Sequence, residues 1–146
     1  MLDLYAGTGS IGIEALSRGA GHVTFVETDR EALRLVRSNL QQCGLEAYAN
    51  ICACQVSQFF HRGTQWSGPY DIVFCDPPYR LTPELLTLAG DWQAGWLAED
   101  AVVIIEHSSK EHMPEALGPL SQTKRYDYGD TALTRFHLTP KEAPRA

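Results

Sequence analysis

A short acidic and aromatic segment, FCDPPY at residues 74–79, follows an apolar run and contains groups that could do chemistry. Pro77 and Pro78 lack a backbone N–H and hold φ at about −65°, so the strand predicted for DIVFC must end at this point. The rigid turn would fix the carboxylate of Asp76, the carbonyls beside the prolines and the ring of Tyr79 at the C-terminal end of a strand. Open α/β sheets bind ligands at such ends, and this set of groups could clamp a flat molecule that carries an amino group.

A glycine-rich segment, GTGSIG at residues 7–12, follows the first strand-like stretch of the chain. Gly7, Gly9 and Gly12 permit positive φ and close backbone approach, so a nucleotide-like ligand could lie against this loop near a helix N-terminus. Glu27 ends the next predicted strand, and its carboxylate could accept both hydroxyl protons of a ribose. Together these features indicate an adenosine-containing ligand; the alternative is a solvated strand end beside a tight turn.

The glycine loop alone does not decide which adenosine cofactor is bound, because nicotinamide dehydrogenases show the same order of strand, loop, helix, strand and acid. The DPPY segment has no role in hydride transfer, and no Tyr-x-x-x-Lys pair is present. No GK[ST] sequence follows the glycines, which disfavours use of ATP.

Strands and helices are predicted to alternate through most of the chain, which implies a parallel sheet. The segment TDRE fits a capping box with Thr28 as N-cap and Glu31 at N3, and Gly44 should end that helix. Thr82 before Pro83 predicts a helix over residues 83–89. Strands are predicted at MLDLY, HVTFVE, YANICAC, YDIVFC and AVVIIEH, helices also at IGIEALSR, EALRLVRSNLQQC and QVSQFFHR, and a hairpin around YGDT.

The composition is that of one domain: 146 residues, of which 44% are apolar. No apolar run could span a membrane and no export signal is recognisable, so a cytoplasmic protein is expected. The four cysteines and five histidines lack ligand spacing, so neither a disulfide nor a metal site is predicted. A net charge of -6 argues against this domain alone gripping a polyanion.

Four segments in this order, LDLYAGTGSIGIEALSRGA, FVETDREAL, DIVFCDPPY and YGDTAL, resemble the bacterial methyltransferases of the RsmD type. That family acts on guanine N2 of 16S ribosomal RNA with S-adenosylmethionine as methyl donor. The resemblance covers residues 2–138, and we take residues 1–138 as one methyltransferase domain followed by a polar tail over residues 139–146. It implies a three-layer, Rossmann-like class I fold: a mostly parallel, seven-stranded sheet with a C-terminal antiparallel hairpin.

The resemblance also implies roles for particular residues. At the end of the third strand the wider superfamily often has an acid that meets the adenine amino group; Gln55 stands here, and its amide oxygen could accept the same hydrogen bond. Cofactor contacts are assigned to Asp3, Tyr5, Ala6, Gly7, Gly9, Glu27, Gln55 and Asp76, and the catalytic loop to Asp76, Pro77, Pro78 and Tyr79.

The expected partner is 16S ribosomal RNA, the small ribosomal subunit or an assembly intermediate, and the expected state is a monomer. Relatives carry an arginine-rich segment before the first strand that this sequence lacks. A non-catalytic cofactor-binding domain is therefore one alternative, and an amino-methyltransferase acting on adenine or glutamine is another.

Several further residues have two interpretations each. Tyr126 and Tyr128, beside Lys124 and Arg125, could contact RNA or form one packed face of the hairpin. Glu106 and His107 could line the substrate side or simply end a hydrogen-bonded strand. The simplest interpretation of Trp66, Trp92 and Trp96 is core packing.

Overall fold

The computed structural model describes residues 1–62, 68–90, 92 and 95–139. The strands are β1 Leu2–Leu4, β2 Val23–Glu27, β3 Ala49–Ala53, β4 Tyr70–Cys75, β5 Leu97–Ser108, β6 Ala116–Leu117, β7 Leu120–Tyr128 and β8 Thr131–Leu138. The helices are α1 Ser10–Ser17, α2 Arg30–Cys43, α3 Val56–Arg62 and α4 Thr82–Ala89, with single 3₁₀ turns at Glu46–Tyr48 and Tyr79–Leu81.

One mixed sheet of eight strands runs in the order β3-β2-β1-β4-β5-β8-β7-β6. Strands β1 to β5 are parallel, and β8, β7 and β6 add antiparallel neighbours beyond β5. The predicted α/β class and the C-terminal hairpin are confirmed. The described sheet has one strand more than the expected seven, the two-residue β6 at the edge.

Apolar side chains divide between the two faces of the sheet, which gives three layers. On one face Val23 and Phe25 of β2 pack with Leu16 of α1 and with Val36 and Leu40 of α2. A larger cluster covers the other face and joins α3 and α4 to the central strands; its members include Val26, Phe59, Phe60, Val73, Leu85, Val103 and Ile105. Alternate residues of a strand face opposite sides, so β2 contributes to both layers.

The start of α2 differs from the predicted capping box by one residue. Asp29, not Thr28, is the N-cap, because its carboxylate accepts the N–H of Ala32 at 2.8 Å. Glu31 does not reach back to the cap but forms an ion pair with Arg34. The Thr28 N–H instead donates to the Glu27 carboxylate at 2.7 Å, so the acid that ends β2 displaces the cap by one position.

Two other helix ends were also predicted. Gly44, at φ 67°, ends α2 as expected. Thr82 does not cap α4, because the 3₁₀ turn after Pro78 runs directly into the helix and makes Thr82 its first residue. The Thr82 hydroxyl is consequently buried with no hydrogen-bond partner in the described part of the chain.

The tryptophans within the described residues pack as predicted. The Trp92 ring lies with its centroid 4.9 Å from that of Phe60, and the Trp96 ring lies 5.4 Å from Phe60 and 6.1 Å from Phe59. Trp66 and the residues beyond Thr139 lie outside the described residues. None of the helices described is long and apolar enough to cross a membrane.

Candidate functional site

The glycine loop and the DPPY turn meet because the strand order changes direction at β1. From β1 the chain winds outward through β2 to β3, then returns to place β4 on the opposite side of β1. Leu4 of β1 is in register with Cys75 of β4, and the N–H of Asp76 lies 3.5 Å from the carbonyl oxygen of Leu4. A crevice forms outside the carboxyl ends of the strands at such a switch point.

The loop after β1 is held in a tight conformation. Tyr5, Gly7 and Gly9 all have positive φ, at 57°, 59° and 78°, and the N–H of Gly9 donates to the carbonyl of Ala6 at 2.9 Å. Gly7 also donates to Oε1 of Glu27 at 2.8 Å. A Cβ added at Gly7 would meet nothing within 4 Å, so its bare backbone leaves open space on this side of the loop.

The third glycine of the motif has a different role. Gly12 lies in α1, and a Cβ there would overlap the ring of Phe25 and come within 2.9 Å of Cγ1 of Val23. Gly12 therefore lets α1 pack closely on β2, the part that the last glycine of such a motif plays.

Asp3 lies behind the loop and is almost fully buried, with 2% of its surface exposed. Its Oδ2 accepts the N–H of Gly12 at 3.2 Å. Burial raises the pKa of Asp3 to about 7, against the opposing effect of this hydrogen bond, and the nearby charges of Asp76 and Glu27 add to the rise. Asp3 thus ties the first strand to the first helix from inside the protein.

A cavity of about 680 Å³ opens between the glycine loop, the end of β2, the start of α3 and the DPPY turn. Most of the residues assigned to the site by resemblance line it: Tyr5, Gly7, Glu27, Gln55, Asp76, Pro77, Pro78 and Tyr79. Asp3, Ala6 and Gly9 do not line this cavity. Residues that the sequence analysis missed also line it, among them Thr28, Cys54, Ser57, Arg80, Leu81 and Glu84.

The missed residues share a position that sequence could have indicated. Thr28 follows Glu27 directly, Cys54 precedes Gln55, Ser57 lies two residues after it, and Arg80 follows Tyr79. In a parallel sheet the first residues after each strand end collect at one edge, so neighbours of an assigned site residue are themselves candidates.

One buried polar group, the Tyr5 hydroxyl, belongs to a residue that lines the cavity. The Tyr5 hydroxyl is buried and has no hydrogen-bond partner among the residues described. Burial raises the pKa of Tyr5, as do the nearby Cys75 and Glu84, so the hydroxyl keeps its proton and remains a potential donor. A buried hydroxyl without a partner is unusual in a folded protein, and a bound ligand or water would satisfy it.

The DPPY turn combines a backbone fixed by two prolines with an exposed tyrosine ring. Pro77 is buried, whereas Tyr79 keeps 61% of its surface exposed. The N–H of Leu81 donates to the carbonyl of Pro78 at 2.8 Å and closes the 3₁₀ turn that follows. The carboxyl of Asp76 lies within hydrogen-bond reach of that of Glu106, near the end of β5.

Two other candidates, His107 and Arg125, have their polar groups engaged within the protein. His107 is fully buried, with its ring nitrogens 2.8 Å from the Ser108 carbonyl and 2.7 Å from Oγ1 of Thr134, so it is a satisfied strand terminus. Arg125 donates to the carbonyls of Ser109 and Glu111, which holds its guanidinium on the protein.

The tyrosines of the hairpin differ from each other. Tyr126 is partly buried, with the Lys124 ammonium 4.8 Å from its ring centroid. Tyr128 keeps 63% of its surface exposed beside the turn of the hairpin. Because β8 pairs antiparallel with β5, this turn lies at the same sheet edge as the DPPY turn, and an RNA contact at Tyr128 stays a prediction.

The fold and this crevice define a Rossmann-like methyltransferase domain. The family model described as "Conserved hypothetical protein 95" matches residues 1–137. The chain therefore belongs to this family, the RsmD type of ribosomal RNA methyltransferases.

Named relatives agree with this assignment. The chain is 37% identical over 137 residues to "Putative rRNA methyltransferase YlbH" of Bacillus subtilis, a match that covers 92% of this chain and 73% of that protein. It is 35% identical over 115 residues to "Ribosomal RNA small subunit methyltransferase D" of Escherichia coli K12, which covers 77% of this chain and 55% of that protein. The chain thus spans about half the length of the small-subunit methyltransferase that it matches.

Solved structures share the architecture. A conserved hypothetical protein of Streptococcus pyogenes is 28% identical, with a TM-score of 0.80 over 93% of this chain and 83% of that one. An RNA methyltransferase of Salinibacter ruber, solved in complex with S-adenosyl-L-homocysteine, is 17% identical with a TM-score of 0.62, over 99% of this chain and 83% of its own. The second likeness shows the fold.

Proposed function

We propose that this chain transfers a methyl group from S-adenosylmethionine to the exocyclic N2 of a guanine in the RNA of the small ribosomal subunit. One observation carries the proposal: Asp76 of the DPPY turn lines the same cavity as Gly7 of the glycine loop and Glu27 at the end of β2. A hydrogen-bond acceptor for an amine and the residues proposed to bind an adenosine cofactor therefore line one cavity.

The residues of the cavity fit a cofactor of this kind. At the end of β2, Oε1 of Glu27 offers its remaining lone pair to a ribose hydroxyl. Gln55, directly before α3, offers an amide oxygen for the adenine amino group. The open side of Gly7 leaves room against the backbone, and the unpartnered Tyr5 hydroxyl offers a buried donor. Asp3, Ala6 and Gly9 would act from behind, by shaping the loop.

S-adenosylmethionine supplies a methyl group that its sulfonium has already activated, so the main task of the protein is to align the acceptor. An exocyclic amine conjugated with its ring is a poor nucleophile. The Asp76 carboxylate and the carbonyl of Pro77 would each accept a hydrogen bond from one N–H of this amine. These two hydrogen bonds favour a pyramidal nitrogen with an available lone pair. The Asp76 carboxylate then faces the positive charge that develops on the nitrogen and can take the released proton.

Tyr79 would supply the contact with the plane of the base. Its exposed ring lies at the mouth of the cavity, directly after the two prolines. Stacking on an aromatic side chain contributes about 1 to 3 kcal/mol per base in single-strand binding. A paired base could not enter this slot, so the target must be unpaired or flipped out of its helix.

The inference that the substrate is RNA is based on the family and not on the charge of the chain. The relatives are named as ribosomal RNA methyltransferases, and one of them as acting on the small subunit. A net charge of -6 gives this chain little non-specific attraction for RNA, so we expect specificity to come from the base-binding slot and from the shape of the substrate.

A transfer assay with tritiated methyl donor tests this function. Small-subunit RNA free of the modification, an assembly intermediate, DNA and protein would be offered separately, and labelled product would be digested to nucleosides or amino acids. We expect label in N2-methylguanosine with wild-type protein and none with Asp76→Ala. Label in adenine or glutamine would identify an amino-methyltransferase that acts on that group instead. Tight binding of S-adenosylhomocysteine without transfer to any acceptor would identify a non-catalytic domain.

A further inference from the structure

The register of β4 and β5 brings a second carboxylic acid to the methyl-transfer site. Phe74 lies opposite Ile104 and Cys75 opposite Ile105 in this parallel pair. The next residues along are Asp76, just past the end of β4, and Glu106 in β5, so the register places them side by side at the carboxyl ends of the two strands. Their carboxyl groups lie within hydrogen-bond reach of each other, and a hydrogen bond between two carboxyl groups requires that one of them carries a proton.

The directions of the two pKa shifts favour Glu106 as the partner that carries the shared proton. Burial raises the pKa of Glu106, and both the charge of Asp76 and the hydrogen bond to it raise it further. Burial also raises the pKa of Asp76, but the hydrogen bond from Glu106 lowers it. Asp76 is therefore the acceptor, and it keeps a side exposed toward the cavity while Glu106 stands partly buried behind it.

The surroundings favour retention of this proton. On the neighbouring strand β1, the buried Asp3 is close enough for the charge of Asp76 to raise its pKa. Burial also raises the pKa of the Cys75 thiol, with the charges of Asp3 and Asp76 adding to it, so that thiol stays neutral. Arg80 and Glu84 line the cavity, and the ring of His107 bonds to Ser108 and Thr134 instead. No arginine or lysine of the described chain forms an ion pair with Asp76 or Glu106.

We propose that Glu106 is a positioning residue for methyl transfer: its protonated carboxyl donates to the Asp76 carboxylate and holds it in place for the substrate amine. This rests on the proposed function of the DPPY turn. When Glu106 loses its proton, the hydrogen bond becomes a repulsion between two carboxylates, and Asp76 is no longer fixed. Asp76 alone would touch the substrate.

The pair itself can be measured without any substrate. Carboxyl carbon NMR of the cofactor-free protein would follow Asp76 and Glu106 through pH, in wild type and in Glu106→Gln. We expect two coupled titrations in wild type, with Glu106 holding its proton above the ordinary range of a glutamate, and a single independent titration of Asp76 in the variant. Ordinary, uncoupled titration of both groups in wild type would overturn the proposal.

Kinetics then test the positioning role. Glu106→Gln keeps a donor that does not titrate, so we expect most of the wild-type kcat and the loss of the alkaline fall in activity that wild type shows as Glu106 deprotonates. Glu106→Ala leaves Asp76 unsupported, and kcat should fall on the order of 100-fold, with the affinity for S-adenosylhomocysteine unchanged. Glu99→Gln, an exposed glutamate at the other end of β5, is the matched control and should keep the wild-type pH profile.

Failures of the two ideas are distinguishable. Wild-type protein that transfers methyl groups while both Glu106 variants match it in kcat and pH profile would sink the positioning role alone. Wild-type protein that transfers nothing would sink the proposed function, and the NMR titration would still report on the pair. If Glu106→Ala does not fold, the pH profile of Glu106→Gln decides.

Discussion

The backbone N–H of Gly7 donates a 2.8 Å hydrogen bond to Oε1 of Glu27, which ties the glycine loop after β1 to the end of β2. The other carboxylate oxygen of Glu27 accepts the N–H groups of Thr28 and Asp29 at 2.7 and 2.9 Å. The acid assigned to the ribose therefore also organises the loop and the start of α2. The three backbone donors occupy three of the four lone pairs of the carboxylate, so one lone pair on Oε1 remains for a ribose hydroxyl.

Glu27→Ala should weaken the protein even without cofactor. Three backbone donors lose a charged acceptor, and we expect the free energy of unfolding to fall by about 1 to 3 kcal/mol. Affinity for S-adenosylhomocysteine should fall as well. Urea denaturation and calorimetry measure the two effects. Glu14→Ala, which removes only an exposed ion pair with Arg18, is the control and should cost less than about 1 kcal/mol. Equal losses for the two variants would contradict the anchoring role.

Gly12→Ala should destabilise the fold through crowding. The added methyl group overlaps the Phe25 ring, and overpacking of this kind costs about 1 to 3 kcal/mol. The gain in helix propensity from Gly to Ala, about 1 kcal/mol, offsets only part of this. Gly21→Ala is the matched control, because its Cβ meets nothing within 4 Å. Thermal melts should rank Gly12→Ala well below Gly21→Ala; the same melting temperature for both would refute the close packing of α1 on β2.

Asp3→Asn should change how stability depends on pH. The pKa of Asp3 rises from 3.8 to about 7 on folding, so the folded state binds this proton more tightly than the unfolded chain does. Stability from this group is therefore full below pH 4 and is lost as pH rises toward 7, a change on the order of 4 kcal/mol. An asparagine oxygen can still accept from Gly12 and carries no charge.

Chemical denaturation at pH 5 and pH 8 would show this. As the pH rises, the free energy of unfolding of Asp3→Asn should increase relative to that of wild type. Most of this change should be present by pH 8. A constant difference between the two proteins across this range would mean that Asp3 titrates normally.

Tyr79→Ala should weaken the binding of the RNA substrate and leave the fold intact. With 61% of its surface exposed, the ring adds little to the core. Loss of a stacked base, about 1 to 3 kcal/mol, predicts a rise in KM for RNA of about 5- to 150-fold, whereas Tyr79→Phe should stay near wild type. Tyr48→Ala removes another exposed ring, with 52% of its surface accessible, outside the cavity and is the control. Unchanged KM in Tyr79→Ala would remove the stacking role.

The sequence predicted those features that depend on neighbours along the chain. Proline stops β4 before Tyr79, Gly44 ends α2, and alternating elements give a parallel sheet, because each depends on local backbone preference. The site at the carboxyl edge followed from that order together with the family resemblance.

Features that depend on pairing in space could not be predicted in the same way. The hydrogen bond between Asp76 and Glu106 requires the register of β4 on β5, and no local pattern sets that register. The cap at Asp29 depends on the side chain of Glu27 taking the Thr28 N–H first. The carbonyls that hold Arg125 come from a loop whose position relative to β7 is fixed only by the sheet.

Calorimetric titration of the purified chain with S-adenosylhomocysteine, and separately with NAD, tests the central claim most directly. The claim is that the cavity beside the DPPY turn holds the cofactor of a methyltransferase. It predicts saturable binding of S-adenosylhomocysteine at one site per chain, weakened in Glu27→Ala, and no measurable binding of NAD. Binding of NAD without binding of S-adenosylhomocysteine would contradict it.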